Sequence, residues 1–262
     1  MNKTALITGA SSGLGVEFAR IHASKGDNLV FVARNVDKMN TLKDDLEKQF
    51  KNISVYIIGE DLSEPTAVKA IYDELQSKKI RVDYLINNAG FGDFGVFAEC
   101  NWEKQLEMIN LNVSALTYLT RLFLPDMIEN KFGKVLNVAS TAAFQPGPTM
   151  SVYFATKAFV LSFSEAIAYE LKGTGVTVTA LCPGATDTGF KAAAALGTSN
   201  LFKGKSIASS GEVADFGYKA MMKGKTVVVH GFMNSLMAQS VRFAPRNIVT
   251  AIAQLKLKET KK

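Results

Sequence analysis

The segment that decides the fold is TALITGASSGLG, residues 4–15. Its first five residues are apolar or β-branched and favour a buried strand. Gly9, Gly13 and Gly15 then permit a tight turn, and a helical pattern follows. In such a strand–turn–helix, backbone N–H groups and the positive end of the helix can bind a pyrophosphate. The alternative interpretation of these residues alone is a plain glycine turn.

Similar apolar runs recur along the whole chain. They lie at residues 29–33, 55–59, 84–87, 134–139, 176–182 and 226–230. Most lack polar alternation and are separated by longer helical patterns, as is typical of parallel strands buried on both faces. We therefore predict an α/β fold of the Rossmann type, doubly wound, with a mostly parallel seven-stranded sheet and helices on both faces. No repeat or linker divides residues 1–262, so a single domain is expected.

Composition excludes several classes of protein. The net charge of +6 is partly concentrated in residues 256–262 without interleaved aromatic residues, so a solvated tail is expected and a nucleic-acid partner is not. Cys100 and Cys182 lie far apart and show no metal or redox spacing, which predicts no metal site and two thiols in a reducing compartment. A strand pattern that starts at Thr4 leaves no room for a leader, and no apolar run is long enough for a bilayer. A cytoplasmic protein is expected.

The residues after the second predicted strand indicate which cofactor is bound. Many NAD enzymes carry an acidic residue there for the adenosine ribose, whereas this chain has Ala33-Arg34-Asn35. The Arg34 guanidinium can pair with an added 2'-phosphate, so NADP(H) is predicted in preference to NAD(H). The alternative is that Arg34 is an ordinary surface residue.

A polar set follows the fifth predicted strand. Ser140 ends that strand, and Tyr153 and Lys157 are spaced to share one face of a later helix. A carbonyl reduced by hydride needs a proton, which Tyr153 can donate, and the Lys157 ammonium together with an oxidised nicotinamide is expected to lower the pKa of the phenol. Ser140 can hold the substrate oxygen. The chain has only two histidines, His22 and His230, and neither is placed to serve a serine hydrolase.

Together these residues resemble the short-chain dehydrogenase/reductase family. The likeness runs from Thr4 to about His230, with motifs in the family's order: residues 8–15, Asp61-Leu62, Asn87-Asn88-Ala89-Gly90, Asn112, Ser140, Tyr153 with Lys157, and Pro183-Gly184 followed by Thr188. The rest of the chain, outside these motifs, resembles a bacterial, NADP-preferring branch of the family that includes some hydroxysteroid dehydrogenases. The resemblance implies a homodimer or homotetramer.

The resemblance also implies a role for each motif residue. The catalytic set is Asn112, Ser140, Tyr153 and Lys157, with Asn112 holding a water that connects Lys157 to solvent. Asp61 and Leu62 border the adenine, Asn88, Ala89 and Gly90 line the cofactor cleft, Pro183 and Gly184 shape it, and Thr186 and Thr188 bind the carboxamide. The remaining cofactor contacts are those of the glycine loop and the arginine, namely Gly9, Ser11, Ser12, Gly13, Leu14, Gly15 and Arg34, together with Tyr153 and Lys157.

The expected function is NADP(H)-dependent interconversion of a small-molecule ketone or aldehyde and its alcohol. Apolar residues near the expected cleft suggest a hydrophobic substrate such as a hydroxysteroid or oxosteroid, although packing explains most of them equally well: Phe91, Phe94, Phe144, Met150, Phe190, Leu196, Leu201 and Phe202. One alternative is a 3-oxoacyl thioester reductase. Another, from a different class, is a non-catalytic regulator that senses NADP(H).

Two segments lie outside these motifs. Residues 191–211 show no periodicity and are predicted to form a substrate lid. Residues 233–262 are predicted to form a helical extension, with Ile248, Ile252 and Leu255 on one face and several lysines near its end. That face could lie on an anionic membrane, but packing against its own domain or a second subunit is favoured because the segment is short and Phe243 is its one aromatic anchor.

Overall fold

A computed structural model describes residues 2–188 and 207–257 of the chain. Seven parallel strands form the central sheet, in the order β3-β2-β1-β4-β5-β6-β9. They are β1 (Thr4–Thr8), β2 (Asn28–Val32), β3 (Val55–Ile58), β4 (Tyr84–Asn87), β5 (Gly133–Val138), β6 (Val176–Cys182) and β9 (Val227–Val229); a separate short pair joins β7 (Thr186–Asp187) to β8 (Ala208–Ser209). The predicted doubly wound, single-domain fold is confirmed.

Helices connect the strands. They are α1 (Gly13–Ser24), α2 (Val36–Gln49), α3 (Ala67–Ser77), α4 (Trp102–Ile109), α5 (Leu116–Glu129), α6 (Ser151–Glu170), α7 (Ser210–Met222), α8 (Phe232–Ser240) and α9 (Arg246–Leu257). A π-helical turn, Asn110–Ala115, joins α4 to α5, and single 3-10 turns lie at Phe97–Glu99, Thr141–Phe144 and Val241–Phe243.

The core has a layer on each face of the sheet. Alternate residues of β1 point to opposite faces, so Ala5 and Ile7 join one cluster and Leu6 the other. The first cluster includes apolar side chains of α1, α2 and α7, and the second includes those of α3, α5 and α6. This two-sided burial explains why the strands are apolar without alternation.

The strand order reverses next to β1. The chain first moves outward through β2 and β3, then returns to pair β4 on the other side of β1. Loops leave β1 and β4 in opposite directions at such a point, which opens a crevice beyond the carboxyl ends of the strands. The fold therefore places a cleft beside the glycine loop.

The first of the two segments outside the motifs is the predicted lid, residues 191–211. Most of the predicted lid, residues 191–206, lies outside the described residues, while its end forms β8 and the first turn of α7. There the Ser209 hydroxyl accepts a hydrogen bond from the Glu212 N–H at 3.2 Å, and the Glu212 carboxylate accepts the Ser209 N–H at 3.0 Å. This capping box fixes the start of α7.

The C-terminal residues up to Leu257 form α8, a 3-10 turn and α9. Of the two packing partners expected for Ile248, Ile252 and Leu255, their own domain does not cover them, because α9 buries Val249, Ala253 and Leu257 instead; packing against a second subunit stays a prediction. Within residues 2–188 and 207–257, no helix is both long and apolar enough to cross a bilayer.

Candidate active site

A cavity of about 450 Å³ opens where four central strands end. Its walls come from the segments that follow β1, β4, β5 and β6, together with the first turns of α1 and α6. The lining residues that the sequence predicted are Gly9, Ser12, Gly13, Leu14, Asn88, Ala89, Gly90, Ser140, Met150, Tyr153, Lys157, Pro183, Gly184, Thr186 and Thr188. The fold thus brings the glycine loop and the set of Ser140, Tyr153 and Lys157 to one cavity.

The glycine loop is shaped by close backbone approaches. A Cβ atom on Gly15 would lie 2.2 Å from the Gly9 carbonyl oxygen, so α1 packs on the loop only if residue 15 has no side chain. Gly13 has φ +53°, in the left-handed region, and a Cβ there would lie 2.8 Å from Thr188 Cβ. Within the described part of the chain, the Ser12 side chain does not cap α1. The first turn of α1 therefore keeps N–H groups for an anion, which fits a pyrophosphate.

Thr8 ties the glycine loop to the end of β4. Its hydroxyl oxygen accepts hydrogen bonds from the backbone N–H groups of Asn88 at 3.0 Å and Ala89 at 2.9 Å. The Asn88 side-chain amide in turn donates to the Thr8 carbonyl at 2.9 Å. The role of the Thr8 hydroxyl was not predicted, because nothing in its sequence neighbourhood distinguishes it from a strand threonine.

Ser140, Tyr153 and Lys157 meet at the end of β5. Ser140 begins a 3-10 turn, where its hydroxyl oxygen accepts the Ala142 N–H at 3.1 Å. Tyr153 and Lys157 lie one turn apart on α6. The Lys157 Nζ donates to the Val138 carbonyl at 2.8 Å and lies 5.8 Å from the centroid of the Tyr153 ring. The sequence could not identify this carbonyl acceptor, since a main-chain group leaves no signature.

The two buried groups have perturbed pKa values. Burial raises the pKa of Tyr153 to about 12, although a hydrogen bond with the Ser140 side chain opposes the rise. Burial also lowers the pKa of Lys157 to about 8. The lowering of the phenol pKa that is expected from Lys157 together with an oxidised nicotinamide stays a prediction, because the protein groups alone give a rise whose main cause is desolvation. At neutral pH the site holds a phenol beside an ammonium.

Asn112 lies in the π-helical turn and does not line the cavity wall. Its side-chain amide donates to the Phe91 carbonyl at 3.0 Å and to the Thr156 hydroxyl at 3.1 Å, and its oxygen accepts the Phe91 N–H at 3.2 Å. A Cβ on Gly90 would lie 2.8 Å from the Asn112 oxygen and 3.5 Å from Lys157 Nζ. Asn112 therefore lies next to Lys157 without lining the cavity itself. Sequence periodicity did not reveal the π turn, a feature often found at functional sites.

The turn after β6 forms a further part of the cavity wall and approaches the glycine loop at Thr188. The Pro183 carbonyl accepts the Thr141 N–H at 2.9 Å, which joins this turn to the segment after β5. The Thr186 hydroxyl donates to the Gly184 carbonyl at 3.0 Å. Gly184 and Thr188 line the same wall.

The predicted adenine end lies outside this cavity. The Arg34 guanidinium pairs with the Asp61 and Glu107 carboxylates, each at 3.3 Å, and its side chain is 68% exposed. Residues 33–35 carry no carboxylate that would repel a 2'-phosphate, but the fold brings the carboxylates of Asp61 and Glu107 beside Arg34, which corrects the expectation that none lies there. Hydrogen bonds from Ser63 and the charge of Arg34 outweigh burial and hold the pKa of Asp61 below its usual value. Leu62 is buried in the core.

Several other predicted residues lie elsewhere. Ser11 is half-buried beside the lining residues, and Gly15 is buried beneath the loop. Phe91 and Phe94 pack against the cluster that contains Tyr153, Met150 and Leu257, whereas Phe144 packs against another cluster. Phe190, Leu196, Leu201 and Phe202 lie outside the described residues. Lining residues that the sequence did not suggest include Gln145 and Phe154.

Neither the histidines nor the cysteines line the cavity, but the buried Cys182 thiol lies next to it and interacts with Lys157 and the Ser140 backbone. His22 is buried, with Nδ1 2.7 Å from the Asp27 carboxylate, and His230 packs edge-on against Phe216. Cys100 and Cys182 are free thiols. Across residues 2–188 and 207–257, no group of three or more His, Cys, Asp or Glu side chains is placed to hold a metal ion.

Comparison with known proteins gives matches over most of the chain. The sequence profile of the short chain dehydrogenase family matches residues 3–197. A short chain dehydrogenase of Pseudocercospora fijiensis is 35% identical over 189 residues, which cover 71% of this chain and 60% of that protein. The very-long-chain 3-oxoacyl-CoA reductase of Mus musculus is 30% identical over 189 residues, covering 70% of this chain and 59% of that protein. The matches thus span about three fifths of both relatives.

A solved structure matches the fold almost end to end. It is a short-chain dehydrogenase from Sphingobium yanoikuyae in complex with NADPH, with a TM-score of 0.83 and 28% sequence identity. The similarity covers 99% of this chain and 98% of that one. Thus a protein of the same fold holds a nicotinamide dinucleotide.

Proposed function

Because this chain belongs to the short-chain dehydrogenase family of oxidoreductases, we propose that it interconverts a ketone or aldehyde and an alcohol with NADP(H). The observation that carries the proposal is the single cavity that holds both the glycine loop at Gly13 and the set of Ser140, Tyr153 and Lys157. A redox cofactor and a proton donor must act on the same carbonyl, so they must share one site. A non-catalytic sensor would have no need of this buried donor.

The residues divide the chemistry of carbonyl reduction among them. When bound, the nicotinamide supplies the hydride that goes to the carbonyl carbon. Tyr153 donates its phenolic proton to the carbonyl oxygen as the alcohol forms, and the Ser140 hydroxyl holds that oxygen in place. The Lys157 ammonium lies near the phenolate that remains and stabilises its charge. In the reverse direction the phenolate accepts the alcohol proton.

The remaining motif residues support these steps. The N–H groups of the glycine loop hold the pyrophosphate, and Thr188, with the backbone near Thr186, holds the carboxamide. Asn112 acts through its position beside Lys157, where a water between them can supply the solvent proton that, by way of Lys157, restores the Tyr153 phenol after each reduction.

Arg34 is proposed to select NADP(H). We expect Arg34→Ala to weaken NADPH binding by about 1–3 kcal/mol, because the 2'-phosphate loses charge-assisted hydrogen bonds and meets the Asp61 carboxylate unscreened. Isothermal titration calorimetry measures the dissociation constant. NADH, which has no 2'-phosphate, is the control ligand, and its binding should change little. Equal losses for the two nucleotides would remove the assignment.

The pKa of Lys157 predicts how reduction depends on pH. Lys157 is an ammonium below its pKa of about 8, while Tyr153, with a pKa of about 12, keeps its proton well above that pH. The turnover number for carbonyl reduction should therefore fall as pH rises through about 8. In Lys157→Arg the cation persists at high pH, so the fall should disappear even if absolute activity is lower. A profile that is flat to pH 10 in the unmodified protein contradicts this role.

We further propose a hydrophobic carbonyl substrate, such as an oxosteroid. Support comes from Met150 and Phe154 in the cavity wall, with Phe91 and Phe94 packed close by. The alternative is a 3-oxoacyl thioester, which the similarity to the murine 3-oxoacyl-CoA reductase favours. Spectrophotometric loss of NADPH with matched panels of oxosteroids, oxoacyl thioesters and small ketones decides between them. No turnover of any carbonyl would favour the sensor instead.

A further inference from the structure

The outer face of α9 is apolar and uncovered. Ile248, Ile252 and Leu255 follow a spacing of four and three residues, which places them on one side of the helix. Their exposed fractions are 49%, 49% and 63%. The opposite side carries the buried residues Val249 and Leu257, so α9 is attached to the protein and still leaves this second apolar face open.

The neighbouring segment adds more exposed apolar side chains. In α8, Phe232, Met233 and Leu236 are 81%, 62% and 53% exposed, and Phe243 in the following turn is 90% exposed. Lys256 Nζ of α9 lies 3.3 Å from Met237 Sδ, so α8 and α9 are in contact. We call these seven apolar residues of α8, Phe243 and α9 the C-terminal apolar surface. Such a concentration of exposed apolar side chains in one segment is typical of an interaction site.

Positive charge accompanies this surface. The sequence has no Asp or Glu between Asp215 and Glu259. Exposed Arg242, Arg246 and Lys256 lie among the apolar residues. The surface is therefore both apolar and cationic, and an occupant that matches it must be apolar and anionic.

A second copy of this chain would match the surface poorly. In a two-fold contact the same patch meets itself, so the cations of one copy would face those of the other. A bilayer that contains anionic lipids supplies acyl chains for Phe232 and Phe243 and negative headgroups for Arg242 and Arg246. We propose that the C-terminal apolar surface docks on the surface of an anionic lipid bilayer, without spanning it.

The same helix packs beside the cleft. Leu257, the last described residue of α9, is 2% exposed and belongs to the cluster of Met150 and Tyr153. A docked α9 would therefore hold the apolar side of the cleft near the lipid, which suits a carbonyl dissolved in the membrane. This step rests on the proposed function, whereas the docking itself does not.

Vesicle co-sedimentation of the full-length protein tests the docking without any turnover. We expect binding to vesicles of phosphatidylcholine mixed with phosphatidylglycerol, weaker binding to phosphatidylcholine alone, and a decrease as salt rises. The double variant Phe232→Ser with Phe243→Ser should lower the partition coefficient at least about tenfold, since two buried aromatic side chains are lost. The pair Arg242→Gln with Arg246→Gln should bind less and depend less on salt.

The matched control is Phe97→Ser, which removes an aromatic residue that is 57% exposed outside the C-terminal segment and should bind vesicles normally. Circular dichroism melting confirms that each variant folds. Failure of the unmodified protein to bind the anionic vesicles, or equal binding by the double phenylalanine variant, overturns the proposal. It is also overturned if light scattering shows that this variant breaks an oligomer, because the surface would then belong to a second copy.

Discussion

Replacement of Tyr153 by Phe should lower the turnover number for carbonyl reduction by about 10²–10⁴-fold, the range for losing a positioned acid. The ring can still pack against Phe154 and Met150, so the cavity keeps its shape. The transferable proton and the hydrogen bond with Ser140 are lost. The Michaelis constant for NADPH should change little, and steady-state kinetics with the best carbonyl of the panel measures both parameters.

The control for this experiment lies on the same helix. Tyr169 is 71% exposed near the end of α6, so Tyr169→Phe makes the same chemical change away from the cavity. Its turnover should match that of the unmodified protein. If Tyr153→Phe keeps full activity while binding NADPH normally, the proton comes from another group and the proposed mechanism is wrong.

Replacement of Gly15 by Ala should destabilise the fold and weaken cofactor binding together. The added methyl group would lie 2.2 Å from the Gly9 carbonyl oxygen and 3.0 Å from Ala10 Cα, both backbone atoms that cannot move aside alone. We expect a loss of about 1–3 kcal/mol in the free energy of unfolding, as for other overpacked sites. Urea denaturation followed by circular dichroism measures this loss. The NADPH dissociation constant should rise as well, because the displaced loop is the one proposed to hold the pyrophosphate.

Gly211 provides the matched substitution. It also lies in the first turn of a helix, α7, but the nearest atom to a methyl group added there is an oxygen of the flexible Glu17 carboxylate, at 3.7 Å. Gly211→Ala should therefore leave stability unchanged or raise it by up to about 1 kcal/mol through better helix propensity. Equal effects of the two substitutions would show that close packing at Gly15 is not the cause.

Local patterns predicted the fold and the centre of the site well. The apolar runs identified all seven strands of the sheet to within about a residue or two, because strands buried on both faces must be continuously apolar. Gly9, Gly13, Ser140, Tyr153 and Lys157 were expected in one cleft, and all of them line the cavity. Parallel topology explains this success, since it brings the loops that follow neighbouring strands to one edge.

What the sequence missed depends on distant contacts. Glu107 reaches Arg34 from a position 73 residues away, so no window of sequence could show that the arginine is already paired. Burial raises the pKa of Tyr153, and burial is set by the whole fold. Periodicity shows that a face of α9 is apolar but not what covers it, so the sequence left its own domain, a second subunit and a membrane open as partners of that face.

The hydrogen bond from Lys157 to the Val138 carbonyl has a consequence for mutational robustness. Every amino acid has a main-chain carbonyl, so no substitution at position 138 can delete the acceptor. Substitutions at position 138, whether natural or from a saturation library, should change the side chain but keep the acceptor for Lys157. Ser140, whose hydroxyl is itself the functional group, has no such protection. We therefore expect position 138, which is buried in the core, to accept other small apolar residues, and position 140 to retain serine strictly.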